Sequence, residues 1–130
     1  MFTRFAAASA VAAIALGVAV TVAWIVVPAP QAVRLLPILR IWCLIPAVWG
    51  VWAMLTPRAW MPERLPWWGG ILGLLLGILL GFVLNVPQQM LGEVVPVWPR
   101  ATGLVLITAF YYLLWHLVRL AWLHLAERAR

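Results

Sequence analysis

Aspartate and lysine are missing from this sequence altogether, serine occurs once, at Ser9, and cysteine once, at Cys43. Each gap removes a class of chemistry. One cysteine forms no intrachain disulfide and no cysteine metal site. The acidic complement is three glutamates, Glu63, Glu93 and Glu127, and all three fall outside the long apolar runs. No buried carboxylate is therefore on hand for proton or cation coupling inside a membrane. The lone serine has neither a histidine nor an acid near it in sequence, so a nucleophilic triad has no local basis. The stretch "GGILGLLLG" is an apolar helix-length run rather than a strand-to-helix turn, so it makes no phosphate loop. These gaps lead to the expectation of a protein that is not an enzyme, with no resident cofactor and no metal.

Charge of either sign is scarce. Only 9% of residues are charged while 67% are hydrophobic, and the mean hydropathy is +1.07. A soluble domain is about a quarter charged, and a chain of this composition cannot cover its apolar surface with polar side chains. It is expected to be an integral membrane protein of 130 residues forming one membrane domain. The net charge of +6 comes from nine arginines. A nucleic-acid partner would need them clustered in a patch or stripe, but they stand singly at the ends of apolar runs, so no nucleic-acid partner is expected. Arginine without lysine, beside abundant alanine, glycine, proline and tryptophan, points to a GC-rich bacterial coding sequence and hence to a bacterial inner membrane.

A hydrocarbon core of about 30 Å needs about 20 helical residues. On that measure four spans are expected, near 5–27, 35–55, 67–86 and 101–122, followed by a polar cytoplasmic tail over 123–130. The first run is too long for a cleavable signal peptide and lacks a small-residue cleavage site. The second is expected to carry Arg40 inside it and to kink at Pro46. The third is bracketed by Pro66 at a favoured first-turn position and Pro87 as a stop. Positive residues are retained in the cytoplasm. With the N-terminus inside, Arg4, Arg58, Arg64, Arg119, Arg128 and Arg130 lie on the cytoplasmic side, against Arg34, Arg40 and Arg100 outside. The fold expected is all-α and polytopic, with both termini in the cytoplasm. Trp24, Trp42, Trp60, Trp67, Trp68, Trp98 and Trp122 fall near span ends, where amphipathic rings sit.

What the chain has in place of chemistry is a regular glycine pattern. Gly69, Gly73, Gly77 and Gly81 recur every fourth residue along the third span, and Asn85 extends the same line. In lipid, apolar side chains gain nothing by exchanging lipid for another helix. Association relies on close packing, which small residues permit. The four glycines are thus expected to form a glycine zipper, a helix-docking seam, packed within the chain against the alanine face Ala8, Ala12, Ala15, Ala19 and Ala23 or against another chain.

Two places remain for a polar site. Arg40 is expected inside the second span, where its side chain can snorkel to the headgroups or hold an anion. Thr108, Tyr112, His116 and Arg119 share one helix face, with Glu127 two turns beyond. His116 could ligate haem or bond a quinone, but the only other histidine, His124, is on the same helix. The plainer reading is a polar stripe at the cytoplasmic end of a packed helix. The function expected is that of an accessory, assembly or regulatory subunit of a larger membrane complex, with lipid and other membrane subunits or further copies of itself as partners. The alternative is a small oligomeric transporter or channel for a small or apolar solute.

Overall fold

Proline marks where each helix after the first begins. It has no N–H to leave unpaired in an opening turn, and its φ is already helical. In the computed structural model, which describes residues 2–27 and 42–128 with only the backbone of Met90, α1 is Phe2–Val26. Helix α2 is Ile45–Met54, with Pro46 in its first turn. A short 3-10 turn, Arg58–Trp60, precedes α3, Leu65–Ile78, which opens on Pro66. Helix α3 runs on into a π-helical segment, Leu79–Val83. Then come the short helix α4, Val86–Leu91, with Pro87 in its first turn, and α5, Val97–Arg128. Among the described residues every element is helical.

Three helical stretches are long and apolar enough to cross a membrane: Phe2–Val26, Leu65–Val83 and Val97–Arg128. Helix α2, with 10 residues, is about 15 Å long at 1.5 Å per residue, half of a core of about 30 Å.

The structure gives three of the expected regions a more definite form. The kink expected at Pro46 takes the form of a two-residue break in the helix, since Trp42 on its N-terminal side is also helical. The chain turns at Cys43 and Leu44, and α2 starts at Ile45. The ring of Pro46 would collide with the carbonyl four residues back, at Trp42, so the helical run is interrupted between the two. Pro37 and Arg40 lie outside the described residues. The stretch from Asn85 to Arg100, which joins the third and fourth expected spans, holds α4 and the first turn of α5. It is punctuated by two left-handed residues, Asn85 at φ 49° and Gly92 at φ 72°. Asparagine is among the few residues with a side chain that visit this region readily, and glycine has no Cβ to object. The polar tail is helical through Arg128, because Leu, Ala, Glu and Arg are all strong helix formers and no breaker interrupts them.

The chain divides into two compact units, one made of Met1–Thr56 with Leu120–Arg130 and the other of Pro57–Arg119. In the first, α1 and α2 pack antiparallel. The Arg4 guanidinium donates to the Thr56 carbonyl at 3.2 Å, and the Ser9 hydroxyl donates to the Pro46 carbonyl at 2.9 Å. Arg4 thus places its charge just past the C-terminal end of α2, where free carbonyls and the helix dipole favour a cation. Ala7, Ala8 and Ala12 are buried on one side, with Trp49, Gly50 and Ala53 on the other.

Gly50 is the closest approach in this pair. A Cβ there would lie 2.5 Å from ring carbons of Phe5 and from the Ser9 hydroxyl. Gly50→Val is therefore expected to lower thermal stability by about 1–3 kcal/mol through overpacking. Gly17→Val should do little, since a Cβ there meets nothing within 4 Å. Thermal unfolding of the two variants in detergent checks the contrast, and equal melting temperatures would remove Gly50 from the contact.

Candidate functional site

Helices α3 and α5 form the second unit's antiparallel pair, and the glycines of α3 lie against α5. A Cβ at Gly69 would fall on the Trp115 side chain. One at Gly73 would stand 2.6 Å from the Tyr111 Cβ and 3.2 Å from the Ile107 carbonyl oxygen. One at Gly77 would stand 2.5 Å from Leu104 Cδ1 and 2.8 Å from Ile107 Cγ2. As α3 advances 69, 73, 77, its facing residues retreat 115, 111, 107 and 104. One side of the pair offers bare backbone and the other bulky side chains. Trp115, Val118, Tyr111, Leu72 and Leu65 are buried in this packing.

The facing surface is thus α5, and the expectation that these glycines meet the alanine face of α1 is corrected. Alanine on that scale offers too little volume to fill a groove left by glycine, whereas Trp115 and Tyr111 fill it. Gly81 does not join the row, since nothing lies within 4 Å of where its Cβ would be. The cause is local. From Leu79 to Val83 the helix is π-helical, with the Leu84 N–H reaching the Leu79 carbonyl at 2.8 Å. An i→i+5 turn holds more residues than an α turn, so four-residue spacing no longer returns to the same face. Asn85 leaves the line as well, because its left-handed backbone ends the helix.

The polar candidates separate. Arg40 lies outside the described residues. Tyr112 and His116 come together edge to face, with ring centroids 5.1 Å apart, and Trp67 of α3 meets Tyr112 at 5.3 Å. Such edge-to-face contacts are favoured by the ring quadrupoles. Thr108 turns away from that group, its hydroxyl donating to the Leu104 carbonyl of its own helix at 2.8 Å. Arg119 follows one turn after His116, and its Nε is buried without a hydrogen-bond partner. Among the described residues no three His, Cys, Asp or Glu side chains gather closely enough to hold a metal ion. What forms is a half-buried aromatic and basic cluster beside Trp67.

Sequence reasoning missed the opposite end of the same pair. There the Arg100 guanidinium donates to the Asn85 side-chain oxygen at 3.0 Å, joining the end of α3 to the start of α5. The Gln89 side chain donates to the Leu84 carbonyl at 2.9 Å, satisfying one of the carbonyls that a helix end leaves free. Beside this junction is a cleft of about 230 Å³ whose lining includes Gly77, Gly81, Gly103 and Arg100. The pairing spans fifteen positions and follows no helical period, so nothing in the pattern along the chain announces it. The available hint was two polar residues, each next to a helix end, facing an otherwise apolar stretch.

Arg100 and Arg119 are nineteen residues apart on one continuous helix, about 28 Å at 1.5 Å per residue. That nearly equals the core thickness of about 30 Å. A helix crossing the bilayer with one of these arginines among the headgroups has the other among the opposite headgroups.

No protein-family model, no curated protein and no solved structure matches the chain.

Proposed function

We propose that the protein is an accessory, assembly or regulatory subunit of a larger complex in a bacterial inner membrane. The observation that carries this reading is a row of large side chains on α5. Leu106, Phe110, Leu113, Leu117 and Leu120 are each more than half exposed, at alternating spacings of four and three residues. Apolar residues in that 3.5-residue rhythm form the seam of two helices packed knobs into holes. The glycine face of α3 is occupied by α5 of the same chain, and this row is a surface that suits a neighbouring helix. In this reading the chain crosses the membrane four times, with both termini in the cytoplasm. Residues 56–66 and the end of α5 then face a cytoplasmic partner.

Co-purification in a mild detergent tests the function. Wild type should bring down a defined membrane partner, and a variant with Leu113 and Leu117 both changed to alanine should lose it while remaining folded. Undiminished capture by that variant would remove the row through Leu113 and Leu117 as the interface. No partner from wild type, together with solute uptake into proteoliposomes containing this protein alone, would move the reading to a transporter. Orientation has its own check. Reporter fusions at residue 130 and beside Glu93 are expected on opposite sides of the membrane, the first cytoplasmic. A C-terminal reporter active outside the cytoplasm would remove the four-span arrangement or reverse it.

A further inference from the structure

At the end of the α3–α5 pair where Asn85 meets Arg100, the two helices part. The π-helical segment Leu79–Val83 carries Gly81 out of the packed row, and Gly103 on α5 is equally bare, with nothing within 4 Å of either Cβ position. Between them opens the cleft of about 230 Å³. π-Helical turns occur frequently at functional sites. Pockets for whole drug-sized ligands are roughly 300–1,000 Å³, so this one suits a segment of a longer apolar molecule. Its lining is apolar apart from Arg100.

Arg100 is poorly satisfied where it stands. Among the described residues its guanidinium donates to a neutral amide oxygen, and its Nε is buried with no partner. A guanidinium stays charged in proteins and presents planar pairs of N–H donors that match two oxygens of a phosphate. A buried donor left unpaired is costly, and a side-chain shift that turns the Nε edge to an anion in the cleft would relieve it. With Arg119 at one headgroup level, the helical rise puts Arg100 at the other, where lipid phosphates lie. The cleft's lining contains no acid that could receive the ammonium of a zwitterionic headgroup.

We infer that this cleft binds an acidic phospholipid, with its phosphate on Arg100 and part of one acyl chain laid between Gly81 and Gly103. The site rests on α3 and α5 crossing a membrane and is independent of whether a partner protein exists.

Native mass spectrometry of the full chain in detergent micelles containing equal parts phosphatidylglycerol and phosphatidylcholine tests it. Both lipids offer the phosphate, so the preference reads the choline ammonium that finds no acid beside Arg100. Wild type should retain phosphatidylglycerol severalfold over phosphatidylcholine. Arg100→Gln should bring the preference close to parity. Gly103→Leu fills open space and keeps both Arg100 and Asn85, so it should fold normally and lose retention of both lipids. Parity in wild type, an unchanged preference in Arg100→Gln, or full retention in Gly103→Leu would each overturn the site. None of these results bears on partner capture, so the failure of the lipid site is distinguishable from failure of the subunit reading.

Discussion

Alanine substitution along the glycine row of α3 is expected to destabilise the protein in the order Gly69, Gly73, Gly77, with Gly81 unaffected or slightly improved. Helix propensity predicts the reverse, because alanine is favoured over glycine by about 1 kcal/mol in a helix interior. Steric overlap decides the sign. At Gly69 the new methyl falls on the base of the Trp115 side chain, including its Cβ, and Trp115 is fully buried. The ring has nowhere to swing, so the helices must separate and lose contacts over several turns. At Gly73 the obstacles are the Tyr111 Cβ and the Ile107 carbonyl oxygen, which move only with the backbone. At Gly77 the nearest atom is the tip of Leu104, which can rotate away. Overpacking of about 1–3 kcal/mol outweighs the propensity gain at Gly69 and Gly73 and roughly balances it at Gly77. The Gly81 methyl meets nothing within 4 Å, leaving propensity alone. Thermal unfolding in detergent gives the order, and four equal melting temperatures would mean the row does not pack as described.

Trp115→Ala is the complementary test and has the larger expected effect. In soluble proteins, truncating a buried tryptophan costs about 3–5 kcal/mol, part from transfer out of water and part from the cavity left behind. In a membrane the transfer part shrinks, because lipid is as apolar as the protein interior. Loss of packing remains, so about 3 kcal/mol is expected, at the lower edge of that range. Trp98→Ala serves as the control, since that ring is 84% exposed. The two substitutions should also couple. Once Trp115 is removed, the methyl of Gly69→Ala has room, so the double variant should be less destabilised than the sum of the singles. Strict additivity, measured in the same unfolding assay, would deny that the two positions touch.

Several features were legible along the chain. Composition declared the solvent, since no soluble fold could hide this much apolar surface. Pro66 announced the start of α3, and the four-residue recurrence announced a helix face with no side chains. The partner of that face was not legible. Helices that are apolar all round carry no stripe to say which side is buried, so α1 with its alanines was as eligible as α5. Trp115 and Tyr111 read only as members of an apolar run, and their fit to the glycines exists only once two helices are side by side. The departure of Gly81 was hidden for another reason. A π-helical turn is a property of the backbone, and the glycine spacing across Leu79–Val83 is unbroken in sequence. An interruption of the second span was legible from Pro46, but its form, a turn at Cys43 and Leu44, was not. Among the site candidates, Tyr112 and His116 are brought together as their spacing implied. Asn85 and Arg100 had been assigned to a seam and to topogenic charge, and their hydrogen bond depends on the left-handed turn at Asn85.

The packing of the glycine face against α5 of the same chain is tested most directly by cross-linking in native membranes. A Cβ at Gly77 lies 3.9 Å from the Leu104 Cα, within the range a disulfide spans comfortably. With Cys43→Ser removing the natural thiol, Gly77→Cys combined with Leu104→Cys should form a disulfide on mild oxidation. The product should run as a monomer whose mobility changes on reduction. A disulfide-linked dimer in place of that monomer, or no cross-link while Gly81→Cys with Leu104→Cys reacts readily, would contradict it.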